Sequence, residues 1–111
     1  WDCANEMRRV SQAAREKTAT TEELSGSTIT ITSLGALGGL GATPIINHPE
    51  VAIIGVHKAE ERAVVRDGNI VVRSMMNLSG SFDHRVVDGY DGARMMQTLK
   101  QMLEHPATIF I

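Results

Sequence analysis

Val51-Ala52-Ile53-Ile54-Gly55-Val56 is continuously apolar and follows Pro49. A run this short and bounded by a breaker suits a β-strand covered on both faces, and such a strand belongs in the middle of its sheet. The other segments must then supply its neighbours and its covering layers.

Val64-Val65-Arg66-Asp67-Gly68-Asn69-Ile70-Val71-Val72 reads as a hairpin, with Asp67-Gly68 as a primed two-residue turn. Ser27 to Ser33 alternates, placing Thr28, Thr30 and Thr32 on one face of a strand and Ile29 and Ile31 on the other. Met76 to His84 alternates as well, with Met76, Leu78, Gly80, Phe82 and His84 sharing one parity. That pattern predicts a half-buried strand with His84 on its apolar side, where partial desolvation favours the neutral imidazole a general base requires.

Two helices are expected. Residues 5–17 carry Met7, Val10, Ala13 and Ala14 at helical spacing among charged residues, a solvated surface helix. Roughly Asp91 to His105 carries a stripe of Ala93, Met96, Leu99 and Leu103, with Met95 and Met102 beside it as core filler, and Pro106 stops it. Between the first helix and first strand, Thr20-Thr21-Glu22-Glu23 has capping-box spacing and predicts one short helical turn ended by Gly26.

Leu34 to Pro44 holds Gly35, Gly38, Gly39 and Gly41. Pro44 stands where a dinucleotide fingerprint needs its third glycine, and no Gly-Lys-Ser/Thr follows, so the loop is read as a tight backbone excursion and not as a phosphate cradle.

Composition narrows function by exclusion. The chain of 111 residues is of single-domain size, its net charge of -2 offers no electrostatic footprint for nucleic acid, and four aromatic residues give no stacking platform. Cys3 stands alone, which excludes a disulfide framework or thiolate metal site and fits a reducing compartment. No run of 18 apolar residues occurs, so no membrane association is expected. His48 and His57 lie nine residues apart without a second carboxylate at ligand spacing, so no metal is expected and both read as structural or surface residues.

Chemistry concentrates in Ser81-Phe82-Asp83-His84-Arg85-Val86-Val87-Asp88-Gly89, which offers a base, an acid four residues on and a glycine. Four histidines and five aspartates give roughly 0.2 such His-x-x-x-Asp spacings by chance, so context has to decide. Asp88 precedes the second helix, where a carboxylate is favoured in any protein.

The string Asp-His-Arg-Val-Val-Asp-Gly resembles the signature of the catalytic domain of the dihydrolipoamide acyltransferases, the E2 components of 2-oxo acid dehydrogenase complexes. Its His-x-x-x-Asp-Gly core is similar to that of chloramphenicol acetyltransferase and of peptide-synthetase condensation domains. Asp83, where condensation domains carry a second His, favours the acyltransferase branch. Ala14-Arg15, Glu23-Leu24, the Ser27–Thr32 strand, the glycine-rich loop and Pro44-Ile45-Ile46 extend the resemblance over about residues 5–111.

The resemblance implies an α+β fold, a mixed sheet with flanking helices like that of chloramphenicol acetyltransferase. It also implies that residues 1–111 are the C-terminal half of the catalytic domain, without the lipoyl and subunit-binding domains. By the same resemblance His84 is the general base, Asp88 keeps the site's geometry, and Thr32, where the family places a serine, donates to the oxyanion, with Ser33 as the alternative. Coenzyme A and lipoamide are the implied substrates, with branched-chain or acetyl groups over succinyl. The implied partners are two further copies in a homotrimer that builds a larger core, the lipoyl domain, and the E1 and E3 components through the missing domains. The implied location is the bacterial cytoplasm or the mitochondrial matrix. Two other readings stay open: a non-catalytic structural core subunit, and another coenzyme A-dependent acyltransferase of the same fold.

Overall fold

The computed structural model describes all of residues 1–111. Helix α1 spans Asp2–Arg15, strand β1 Thr30–Ser33, β2 Ala52–Val56, β3 Glu60–Arg66, β4 Asn69–Met75, β5 Leu78–Phe82 and helix α2 Gly89–Glu104, with 3-10 turns at Gly35–Leu37 and Pro106–Phe110. The fold is α+β, as expected.

The apolar run is indeed the middle strand of a three-stranded sheet, ordered β1-β2-β5, with β1 parallel and β5 antiparallel to β2. Ala52, Ile53 and Ile54 form its buried centre. The register defines the two faces, because residues opposite one another point the same way. Thr30 faces Ile53, which faces Ser81; Thr32 faces Gly55, which faces Ser79. This face is polar. The other carries Ile31, Ala52, Ile54, Val56, Leu78 and Phe82.

Helix α2 packs on that second face by close approach. A Cβ at Gly80 would sit 2.8 Å from the Phe82 ring and 3.2 Å from Met96 Sδ, and one at Gly92 would sit 3.2 Å from the same ring. The two bare backbones make a slot for Phe82. Ile31 lies beyond the helix and is 72% exposed.

The hairpin β3–β4 forms its own two-stranded sheet, longer at both ends than the sequence pattern indicates. Asp67 (φ 51°) and Gly68 (φ 77°) both lie in the left-handed region, as a primed turn requires. Its outward side leaves Val65, Ile70 and Val72 exposed.

Helix α1 starts three residues earlier and ends two earlier than expected. Lys17 turns left-handed (φ 59°), and the Thr18 and Ala19 N–H groups both donate to Ala13 O. The capping box forms reciprocally: Thr20 N–H donates to Glu23 Oε2 at 2.9 Å and Glu23 N–H to Thr20 Oγ1 at 3.3 Å. Arg9 then bridges Glu6 and Glu23, fastening the turn to the helix.

Strand β1 is shorter than the alternation of residues 27–33 indicates, and Glu50 is the reason. Ser27 Oγ donates to Glu50 Oε1 and Thr30 Oγ1 to Glu50 Oε2, each at 2.5 Å. In a straight strand residues three apart are separated by roughly 10 Å, so gathering both onto one carboxylate bends the chain before Thr30. The glycine-rich loop contains both features expected of a tight excursion: Gly35 has φ 56°, and a Cβ at Gly38 would press on Gly35 O at 3.1 Å.

Candidate functional site

His84 departs from its expected setting. Strand β5 ends at Phe82, and residues 84–86 form a turn that leaves His84 exposed instead of half-buried on the apolar strand face. The cause is Asp83, whose backbone oxygen accepts from the Val86 and Val87 N–H groups at 2.9 Å, while its own N–H still donates to Val51 O at 2.8 Å. The ladder thus closes at Asp83 and the chain curls immediately after it.

The Asp83 side chain tightens the same curl. Its carboxylate takes the Arg85 guanidinium through both oxygens, at 2.6 Å from Nη2 and 2.9 Å from Nε, and accepts the Arg85 N–H at 3.0 Å. The guanidinium first, and then that N–H, hold the carboxyl down at about 2.

Asp88 begins α2. Its Oδ1 accepts the Asp91 N–H at 2.8 Å, so the acid is tied to the helix and not to His84. His84 and Asp88 nevertheless share one open cleft of about 330 Å³ with Phe82, Val87, Gly92 and Met96. The cleft has an apolar floor with an imidazole and a carboxylate at its rim.

Thr32 lies on the polar face, half-buried, opposite Gly55. Ser33 points to the other face, and its Oγ accepts the Gly35 N–H at 3.1 Å, which commits it to starting the 3-10 turn. Thr30 Oγ1 is held by Glu50, a buried carboxylate that the Ser27 and Thr30 hydroxyls keep below the usual range. The strand carrying Thr32 is thereby anchored from its first residue.

Within one chain Thr32 and His84 do not meet. His84 follows the Asp83–Val51 end of the sheet, whereas Thr32 pairs with Gly55 across one strand boundary. Rises of about 3.3 Å per residue and strand spacings of about 4.8 Å put them on the order of 15–20 Å apart.

Of the two settings the sequence leaves open, structural or surface, the structure gives His57 the first. It is buried, and its Nε2 lies 2.8 Å from Ser79 Oγ on the same face as Thr32. The signal available was parity: His57 continues the set Ile53, Gly55 past the end of β2. His48 is exposed.

Comparison with known proteins places the chain. The family model described as 2-oxoacid dehydrogenases acyltransferase (catalytic domain) matches residues 1–111. The lipoamide acyltransferase component of the branched-chain alpha-keto acid dehydrogenase complex of Pseudomonas aeruginosa is 60% identical over all of this chain, which spans 26% of that relative's length. Among solved structures, the dihydrolipoamide acetyltransferase of Azotobacter vinelandii superposes with a TM-score of 0.92 at 40% identity, over 99% of this chain and 45% of that one. That structure addresses the role of a serine, a histidine and an asparagine in the catalytic mechanism, the histidine fifty-two residues after the serine and four before the asparagine. The cubic core of a pyruvate dehydrogenase multienzyme complex superposes with a TM-score of 0.91 at 40% identity, over 97% of this chain and 44% of that one.

Proposed function

From its membership of the catalytic-domain family of the 2-oxoacid dehydrogenase acyltransferases, to which the chain belongs, we propose that it moves an acyl group between dihydrolipoamide and coenzyme A. One observation carries the assignment of residues: Thr32, His84 and Asp88 stand fifty-two and four residues apart, the spacings of the serine, histidine and asparagine in the Azotobacter enzyme. Threonine keeps the serine's hydroxyl, and aspartate keeps the oxygen that caps α2.

The chemistry follows from thiol acidity. A thiol with a pKa near ~8.5 can yield its proton to an imidazole near ~6.5 at modest cost. His84 takes the S–H proton of whichever thiol attacks, and the thiolate adds to the carbonyl carbon of the other's thioester. The Thr32 hydroxyl donates a hydrogen bond to the oxyanion of the tetrahedral adduct. Its collapse breaks the original C–S bond, and the imidazolium returns the proton to the departing thiolate. No acyl-enzyme is formed, so neither Cys3 nor a serine is needed as nucleophile.

The separation of Thr32 from His84 supports a shared site, in which the Thr32 of one copy serves the His84 of the next. A closed ring of three copies satisfies this, and the exposed apolar residues Ile31, Val65, Ile70 and Val72 supply surface for such contacts. The likeness to a cubic core supports assembly of those rings into a larger shell, with E1, E3 and the lipoyl domain reaching it through other parts of the polypeptide. Residues 1–111 then form the C-terminal half of the catalytic domain, working in a bacterial cytoplasm or mitochondrial matrix. Identity of 60% to a branched-chain component, against 40% to an acetyltransferase, favours a branched acyl group.

The test is acyl transfer from acyl-coenzyme A to dihydrolipoamide by the full-length protein. His84→Ala should lower kcat by about 10²–10⁴-fold with assembly intact; activity within threefold of wild type would remove the assignment.

A further inference from the structure

The space above Gly55 is occupied from two sides. A Cβ there would lie 2.7 Å from Ser79 Oγ and 3.3 Å from His57 Nε2, and those two atoms are themselves 2.8 Å apart. Ser79 therefore leans across its β2 partner toward β1, and the residue of β1 in that same row is Thr32. At a strand spacing of about 4.8 Å the Thr32 Cβ stands about 5 Å from this notch. Two donors that each bind one oxygen at about 2.7–3.1 Å can be up to roughly 6 Å apart. The two hydroxyls are thus close enough to converge on a single atom lying between them.

We propose that Ser79, held over Gly55 by His57, is a second hydroxyl donor to the oxyanion that Thr32 binds. With its Nε2 protonated, His57 donates to Ser79 Oγ and leaves the Ser79 proton free to point at the oxyanion. Glycine at position 55 is what makes this possible, because any side chain there would displace both atoms. His57 is a positioning residue and touches no substrate; Ser79 is the catalytic one. Burial of His57 holds the pair in one geometry, which is what a preorganised donor needs.

This inference rests on the reading of Thr32 as the first donor, and the experiment separates the two. In the full-length assembled protein, Ser79→Ala should lower kcat about tenfold with KM within twofold. That is less than the roughly 10²–10³-fold a sole oxyanion donor contributes, since Thr32 remains. His57→Gln, whose amide N–H can still reach Ser79, should lose less kcat than His57→Leu. If Ser79→Ala fails to assemble, Ser79→Cys keeps the volume with only a weak S–H donor and should show the same loss. A kcat within twofold of wild type for Ser79→Ala, with Thr32→Ala impaired, overturns the second donor and leaves the first standing. A silent Thr32→Ala beside an inactive His84→Ala overturns both.

Discussion

The Asp88 carboxylate accepts the Asp91 backbone N–H at 2.8 Å, so the acid four residues after His84 is fixed by the helix it initiates. In the proposed mechanism it acts only through the turn it closes. Asp88→Asn keeps a good cap and should retain most of the stability and a measurable kcat. Asp88→Ala should cost about 0.5–2 kcal/mol in urea unfolding, and kcat should fall further as the turn holding His84 loosens. Complete inactivity of a well-folded Asp88→Asn would instead assign the carboxylate a direct electrostatic role.

The Asp83–Arg85 clasp sets an acid limit on the same turn. Its carboxyl titrates at about 2 in the fold, against about 3.9 in an unfolded chain. Between these values the unfolded state binds more protons, so the clasp's stabilisation is fully present above about pH 4 and is lost as pH falls toward 2. The stability difference between wild type and Asp83→Asn should be largest above pH 4 and close toward pH 2, read by thermal unfolding across that range. A difference that stays constant down to pH 2 would contradict the pairing.

Thr32 and Ser33 are adjacent but point to opposite faces of the sheet, and their variants should separate. Thr32→Ala should lower kcat far more than it changes KM, because the hydroxyl meets charge that develops only in the transition state. Thr32→Ser should be tolerated. Ser33→Ala, which removes only the acceptor for the Gly35 N–H, should leave kcat near wild type. The reverse pattern would shift the functional face of β1 by one residue.

What could be read from the residues was whatever depended on local pattern. The apolar Val51–Val56 run, the Asp67-Gly68 turn and the parity of Thr30 and Thr32 each carry their own geometry, and each stands in the fold as read. The departures came from contacts that the alternation of a strand does not encode, one between distant segments and one within a single turn. Nothing near Ser27 announces that Glu50, twenty-three residues away, will bend the strand start. Nothing in the alternation of Met76–His84 announces that the Asp83 carbonyl will capture two N–H groups and end the strand before His84. The motif singles out His84, but the exposure of its side chain is not written in it. The burial of His57 is equally invisible in the sequence, because a lone histidine after an apolar strand looks the same whether it faces solvent or lies over a glycine.

The last prediction concerns the gap of on the order of 15–20 Å between Thr32 and His84 of one chain, which is too wide for one tetrahedral adduct to bridge. If a site takes its base from one copy and its hydroxyl from the next, two inactive proteins can repair each other. Full-length His84→Ala keeps an intact Thr32, and full-length Thr32→Ala keeps an intact His84. When the two are dissociated and reassembled at equal ratio, a cyclic interface formed at random pairs an intact His84 with an intact Thr32 at roughly one quarter of its sites. Activity should return to about that fraction of wild type, while either variant taken alone through the same treatment stays inactive. Subunit exchange is verified independently by mass-labelling one variant. If labelled and unlabelled copies are found in the same assemblies and the mixture remains inactive, each site is built within a single chain, and the hydroxyl that serves His84 must be sought near the Glu50 end of the sheet.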